Sequence, residues 1–191
     1  MHRHTCLAIF FLIAAAAMPG CKKVSSRQDL EKIHELEGKV DQNRETVTMG
    51  STTLDTPLVK QLGAAYMAWA DKYPDAPETA EFLFRAGELY SNELQDFRKA
   101  IDIFKRNYQT YPNHETAANS LFFIGYLYNN SLGDTENAEK YYNEFLERYP
   151  NHNMAKHAKF ELESLGMTAD QVFDRIMAND SLESDSAKIL E

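Results

Sequence analysis

Tyr73-Pro74-Asp75, Tyr111-Pro112-Asn113 and Tyr149-Pro150-Asn151 recur along this chain at a constant interval of 38 residues. A tripeptide class that returns at a fixed period marks a repeat architecture. Shifting the sequence by that interval aligns Phe84 with Phe122 and Phe160, Gly87 with Gly125, Leu89 with Leu127, Tyr90 with Tyr128, Ala100 with Ala138, and Tyr66 with Phe104 and Tyr142. The registry therefore runs through whole units and not only through their corners.

Within a unit the apolar residues follow helical spacing. Ala80, Leu83, Phe84, Gly87 and Tyr90 make one stripe, and Phe97, Ala100, Ile101, Phe104 and Tyr108 make a second. Asp75, with Glu78 three residues later, is expected to cap the first helix, and Asp96 to open the second. Tyr111-Pro112 closes the unit, because proline restricts the residue before it and cannot extend the hydrogen-bond ladder. The next unit repeats the plan: Asn113 as cap, Leu121, Phe122, Gly125 and Tyr128 on one helix, and Ala138, Tyr141, Tyr142 and Phe145 on the other. Glycine inside a helix costs about 1 kcal/mol relative to alanine. Gly87 and Gly125 therefore imply close helix contact, with Phe84 and Phe104 filling the space between units. The expected fold is all-α, a solenoid of helical hairpins with repeats of about 38 residues.

Half-units stand at both ends. Leu58 to Lys72, with Leu62, Tyr66, Trp69 and Ala70, matches a second helix whose first helix is missing or is supplied by Leu30, Ile33, Leu36 and Val40. That upstream stripe is too short for a coiled coil of its own; it reads as a helix packing weakly on the solenoid or fraying, or else as an oligomerisation or docking helix. Arg44 to Thr56 is polar, without helical or strand periodicity, and is expected to be a linker. Asn151 to Leu165 matches a first helix, with Glu163 in the glycine's place. Thr168 and Gln171 form a capping box for a C-terminal capping helix whose Val172, Phe173, Ile176 and Met177 face is expected to seal the array. Ser181 to Glu191 is acidic and polar, with little reason to order.

The pattern resembles the tetratricopeptide repeat family over about residues 58 to 166. Leu83, Gly87, Tyr90, Ala100, Phe104 and Pro112 meet the family's spacing, as do Phe122, Gly125, Tyr128, Ala138, Tyr142 and Pro150. The unit exceeds the usual length of about 34 residues, with one extra residue between the helices and the rest near the proline. In this it is similar to the longer variant found in bacterial envelope proteins of the barrel-assembly and Tol-Pal systems. The resemblance implies a scaffold that binds other envelope proteins or extended peptides. It also implies that the first helix of each unit lines a concave groove, which places Glu81, Glu88, Ser91, Asn92, Asn119, Tyr126, Asn129 and Asn130 on the peptide-binding surface. Asparagines suit an extended backbone, since they both donate and accept, and the glutamates would favour a basic partner. The alternative is a plain solvated helix face.

The N-terminus reads as an address. Arg3, flanked by His2 and His4, precedes an unbroken apolar run from Leu7 to Ala17. Those eleven residues are too few for a membrane span, which needs about 20, but suit a secretion signal. The run ends in Met18-Pro19-Gly20-Cys21, which resembles a bacterial lipobox, with Met18 and Pro19 where Leu and a small residue are usual. Residues 1–20 are thus expected to be a lipoprotein signal peptide, and Cys21 the lipidated N-terminus of a segment, 21–57, that carries the short helix and linker. The solenoid follows over 58–180 and the tail over 181–191. An ordinary signal peptide would instead leave Cys21 as a free thiol in an oxidising compartment. Lys22 is not the acidic residue that retains lipoproteins at the inner membrane, so the resemblance implies the outer membrane, facing the periplasm.

Catalytic chemistry is scarce. A net charge of -9 disfavours nucleic acid as the partner. Cys6 and Cys21 are the two cysteines of the sequence, too few for a disulfide framework or thiolate metal site. His114 and His152 are one repeat apart and read as positions near helix starts, and His157 with Glu161 as a surface ion pair more readily than half a metal site. No phosphate loop or nucleophile elbow occurs. No cofactor is expected, nor an enzyme. A protein-binding scaffold is the favoured class, ahead of an accessory subunit for cell-wall or glycan handling that uses exposed aromatics.

Overall fold

The computed structural model describes residues 19–50, 53–168 and 170–177. The expected leader up to Met18, the side chain of Cys21 and the tail from Ser181 lie outside the described residues. Seven α-helices follow in order among the described residues: α1 (Pro19–Thr48), α2 (Thr56–Lys72), α3 (Thr79–Glu88), α4 (Phe97–Thr110), α5 (Glu115–Tyr126), α6 (Thr135–Arg148) and α7 (Ala155–Glu163). A last helical segment covers residues 170–177, and no strand occurs among the described residues. Each helix packs on the next, and α3 also touches α5, so first helices stack on first helices. That is the expected all-α solenoid.

One apolar core runs from Ile33 in α1 to Ala158 in α7. Phe84, Phe104 and Phe123, with centroids 5.7–6.0 Å apart, join α3, α4 and α5. Phe122 carries the contact onward to Tyr142 at 5.7 Å and Phe145 at 5.8 Å on α6. The glycines do what their helical cost implied. A Cβ on Gly87 would lie 2.4 Å from Phe104 Cε1, and one on Gly125 2.9 Å from Tyr142 Cδ1. Gly63 makes a third such approach, to Tyr90 Cε2 at 3.0 Å.

The Tyr-Pro-Asx corners have a second role beyond ending helices. The Tyr111 hydroxyl donates to the Pro74 carbonyl at 2.7 Å, and the Tyr149 hydroxyl to the Pro112 carbonyl at 3.3 Å. Each corner is tied to the one before it. Tyr73 has no earlier corner, and its hydroxyl donates instead to Asp29 in α1 at 2.8 Å.

Four expectations are corrected. First, neither Asp75 nor Asn113 is the N-cap. The chain makes a tight turn at each corner, Ala76 N–H to Tyr73 O and His114 N–H to Tyr111 O, so the helices start later. Glu78 stands at the cap of α3 without a side-chain bond, while the His114 Nδ1 accepts from Thr116 N–H at the start of α5. Asp96 does cap α4, accepting from Lys99 N–H. Second, α1 is not a short helix followed by a linker from Arg44. It continues to Thr48, where Arg44 is anchored to Glu93 of the neighbouring unit. Ile33, Leu36 and Val40 are buried on α2, so α1 supplies the missing first helix.

Third, the residue added between the two helices of a unit lies in the helix itself. α3 and α5 end in π-helical turns, Leu89–Glu93 and Leu127–Ser131, in which one residue is inserted into the ladder. Leu94 N–H reaches Leu89 O, and Leu132 N–H reaches Leu127 O. A left-handed residue then follows at equivalent places, Gln95 at φ 52° and Gly133 at φ 65°. Fourth, the C-terminal segment does not seal its apolar face. The Thr168–Gln171 capping box forms reciprocally, yet Phe173, Ile176 and Met177 remain 57%, 42% and 51% exposed.

Candidate functional site

The stacking of α1 on α2 and of α2 on α3 leaves a hollow of about 400 Å³ between them. Leu62 and Tyr66 of α2 and Leu89 of the first π-turn give it an apolar floor. Glu37, Asp41 and Arg44 come from α1, Arg85 and Glu88 from α3, and Asn92 and Glu93 from the π-turn. Most of its charges are spoken for. The Tyr66 hydroxyl donates to Glu37 Oε1 at 2.6 Å and Arg85 Nη1 to the same oxygen at 2.9 Å, while Arg85 Nε donates to Glu81 at 2.9 Å. Arg44 donates to Glu93 at 3.0 Å and to Asp41 at 3.1 Å.

Electrostatics separates Glu37 from Glu88 in this hollow. Burial pushes the Glu37 carboxyl up, but hydrogen bonds from His34 and Tyr66 and the Arg85 charge outweigh it, leaving the group below the usual carboxylate range. Burial, and then Glu37 itself, raise the Tyr66 phenol. Glu88 goes the other way: burial and then Glu81 raise its pKa, and Arg85 and Arg44 do not compensate. Its carboxylate makes no hydrogen bond or ion pair with any described residue.

A second hollow, of about 470 Å³, lies at the far end between the second π-turn, α7 and segment 170–177. Asn129 and Asn130 border it, beside Glu161, Phe160, Phe173 and Ile176. Asn129 Nδ2 approaches Glu161 Oε2 at 3.5 Å, and Asn130 Nδ2 donates to the Tyr126 carbonyl at 3.3 Å. Glu161 thus turns to Asn129, and the ion pair expected with His157 is not formed. Of the remaining expected groove residues, Glu81 is occupied by Arg85, Asn119 is half-buried on α5, and Tyr126 is 40% exposed, edge-on to Phe123.

Ser91 is a correction. It is buried, and its Oγ proton is shared between the Glu88 carbonyl and Asn92 Oδ1. The expected surface is therefore divided: Glu88 and Asn92 meet in the first hollow, Asn129 and Asn130 in the second. Sequence reasoning missed Glu37, Asp41, Arg44, Arg85 and Glu93. The stripe Ile33, Leu36 and Val40 held a signal for part of them, since it puts Glu37, Asp41 and Arg44 on the adjacent strip of the same helix. His114 and His152 accept from backbone N–H groups at helix starts, and no group of three metal-ligating side chains occurs among the described residues.

Residues 81–114 and 120–152 each match the family model described as tetratricopeptide repeat. No curated protein matches the chain. The two matches fall on α3 with α4 and on α5 with α6, the two central units of the array. With helices packed in a row and no strand among the described residues, they make this fold an all-α solenoid of tetratricopeptide type, and they support reading the chain as a tetratricopeptide repeat protein.

Proposed function

We propose that this protein is a scaffold of the bacterial envelope, lipid-anchored through Cys21 at the periplasmic face of the outer membrane, that holds other proteins or extended peptides for envelope assembly. Tetratricopeptide repeats are typically non-enzymatic interaction modules, and two of them form the centre of this chain. The observation that carries the reading is the polar rim formed by the two π-turns. Asn92 and Asn130 are exposed there, with most of their donors and acceptors free for a peptide backbone. A glycan platform finds less support, because among the described residues only Tyr126 and Phe173 are exposed aromatics and they lie on different elements.

Two measurements test the proposal. Cys21→Ser should move the protein from the detergent-extracted membrane fraction to the soluble one; retention in the membrane would refute the anchor. Replacing Tyr126, Asn129 and Asn130 together by alanine should leave stability within about 1 kcal/mol of the parent, while partner recovery by affinity capture and mass spectrometry is lost. Unchanged recovery would move the interaction away from this rim.

A further inference from the structure

We propose that the hollow between α1 and α3 receives one basic side chain of an extended peptide, with the Glu88 carboxylate as its counter-ion and Asn92 gripping the peptide backbone beside it. This deepens the scaffold reading and rests on it. The hollow is of a size that takes a ligand group, at about 400 Å³. Its apolar floor of Leu62 and Leu89 suits the methylene stem of a lysine or arginine, which buries its chain while the charged head stays with polar partners.

Charge complementarity decides the sign of the guest. Both cations of the hollow are already paired, Arg85 with Glu37 and with Glu81 beside it on α3, Arg44 with Asp41 and Glu93. An anionic side chain would find no free cation there. Glu88 is the charge left over: half-buried, with no partner, in surroundings that raise its pKa although two guanidinium groups act on it. A partly desolvated charge without a partner is costly, and an incoming ammonium or guanidinium relieves that cost. The single Ser91 Oγ proton is shared between the Glu88 carbonyl at 3.0 Å and Asn92 Oδ1 at 3.1 Å, and the exposed Asn92 NH₂ is available to donate to a peptide carbonyl. The walls come from three helices, so the site exists only because α1 completes the first unit.

The test uses the full-length protein and an end-blocked peptide, Ser-Ala-Arg-Ala-Ser, carrying a fluorophore, with the same peptide made with citrulline, the neutral isostere of arginine. Fluorescence anisotropy should show the arginine peptide binding at least about tenfold more tightly than the citrulline one, a difference of about 1.4 kcal/mol. Glu88→Gln, which keeps the shape and removes the charge, should abolish that discrimination, and Glu88→Lys should reverse it toward a peptide with glutamate at the central position. Glu147→Gln, an exposed carboxylate on α6, should change nothing. Equal binding of the arginine and citrulline peptides, discrimination surviving Glu88→Gln, or no binding of the arginine peptide at about 1 mM overturns the proposal. If the natural partner is still captured in any of those cases, only this inference fails; if capture also ignores the rim substitutions described above, the scaffold reading fails with it.

Discussion

At the residue scale, the tyrosine before each corner proline joins consecutive repeats, and Glu37 and Glu88 of the first hollow act in opposite senses. Tyr111→Phe keeps the ring and deletes only the bond to the Pro74 carbonyl, so it should lower unfolding stability by about 0.5–1.5 kcal/mol in urea titrations with an unchanged slope. No loss would mean that the corner bond is matched by water. For Glu37 the folded pKa lies below the unfolded value of about 4.3, so its stabilisation is complete above that value and fades as pH falls through the folded pKa. For Glu88 the folded pKa is raised by burial and by Glu81, against Arg85 and Arg44. Its charge therefore costs stability at neutral pH, and that cost disappears as pH falls through the raised folded value to the unfolded one. Thermal melts should then show Glu37→Gln less stable and Glu88→Gln slightly more stable than the parent at pH 7, with the Glu88→Gln difference vanishing near pH 4. Two shifts of the same sign would contradict this account of the hollow.

At the element scale, backbone geometry and close approach decide which substitutions a helix accepts. Gly87→Ala gains helix propensity but drives a methyl into the Phe104 ring, which is buried against Phe84 and Phe123 and has nowhere to go. Overpacking costs of about 1–3 kcal/mol outweigh the propensity gain, so a net loss is expected. Gly38 in α1 is exposed and has nothing within 4 Å of a Cβ, so Gly38→Ala should stabilise by about 0.5–1 kcal/mol. Gln95, left-handed after the first π-turn, should also gain from replacement by glycine, as Gly133 occupies the same place one repeat later. Chemical denaturation that ranks Gly87→Ala above Gly38→Ala would sink this reading. How far the elements were legible follows from the same physics. A helical glycine at two equivalent positions announced its close contact, whereas Gly63 did not, because Ile101 and Glu139 stand at its equivalents. The added residue was legible as an insertion, but its place inside the helix was not, since a single inserted residue leaves the apolar spacing on either side of it unchanged and can be taken up in the turn or in the ladder. Asx residues after proline looked like caps because their side chains can cap; the tight turn at the corner carries the helix start past them.

At the scale of the whole molecule, the ends of the array carry the most information that the sequence withheld. The repeat offset predicted the middle well, because each unit's stripe can only be buried on its neighbours. It left the first helix of the N-terminal unit either missing or supplied by the Leu30–Val40 stripe, and α1 settled the matter through Ile33, Leu36 and Val40. At the C-terminus an apolar stripe of helical spacing pointed to a seal, yet most of it faces outward. A contrast of truncations follows. Ending the chain after Leu165 removes segment 170–177, whose large side chains are mostly exposed, and should lower stability only slightly, by about 1 kcal/mol or less. Ending it after Arg148 also removes α7, including buried Ala155 and Ala158, and uncovers Tyr142 and Phe145, which are fully buried. Each large side chain returned to water costs about 1.5–3 kcal/mol. The loss also spreads inward, because Phe122 packs on both of those rings and belongs to α5. The shorter chain should therefore melt well below the parent, and with a broadened transition as coupling between units weakens. Calorimetry that finds the two truncations equally stable would show that α7, like the segment after it, lies outside the cooperative array.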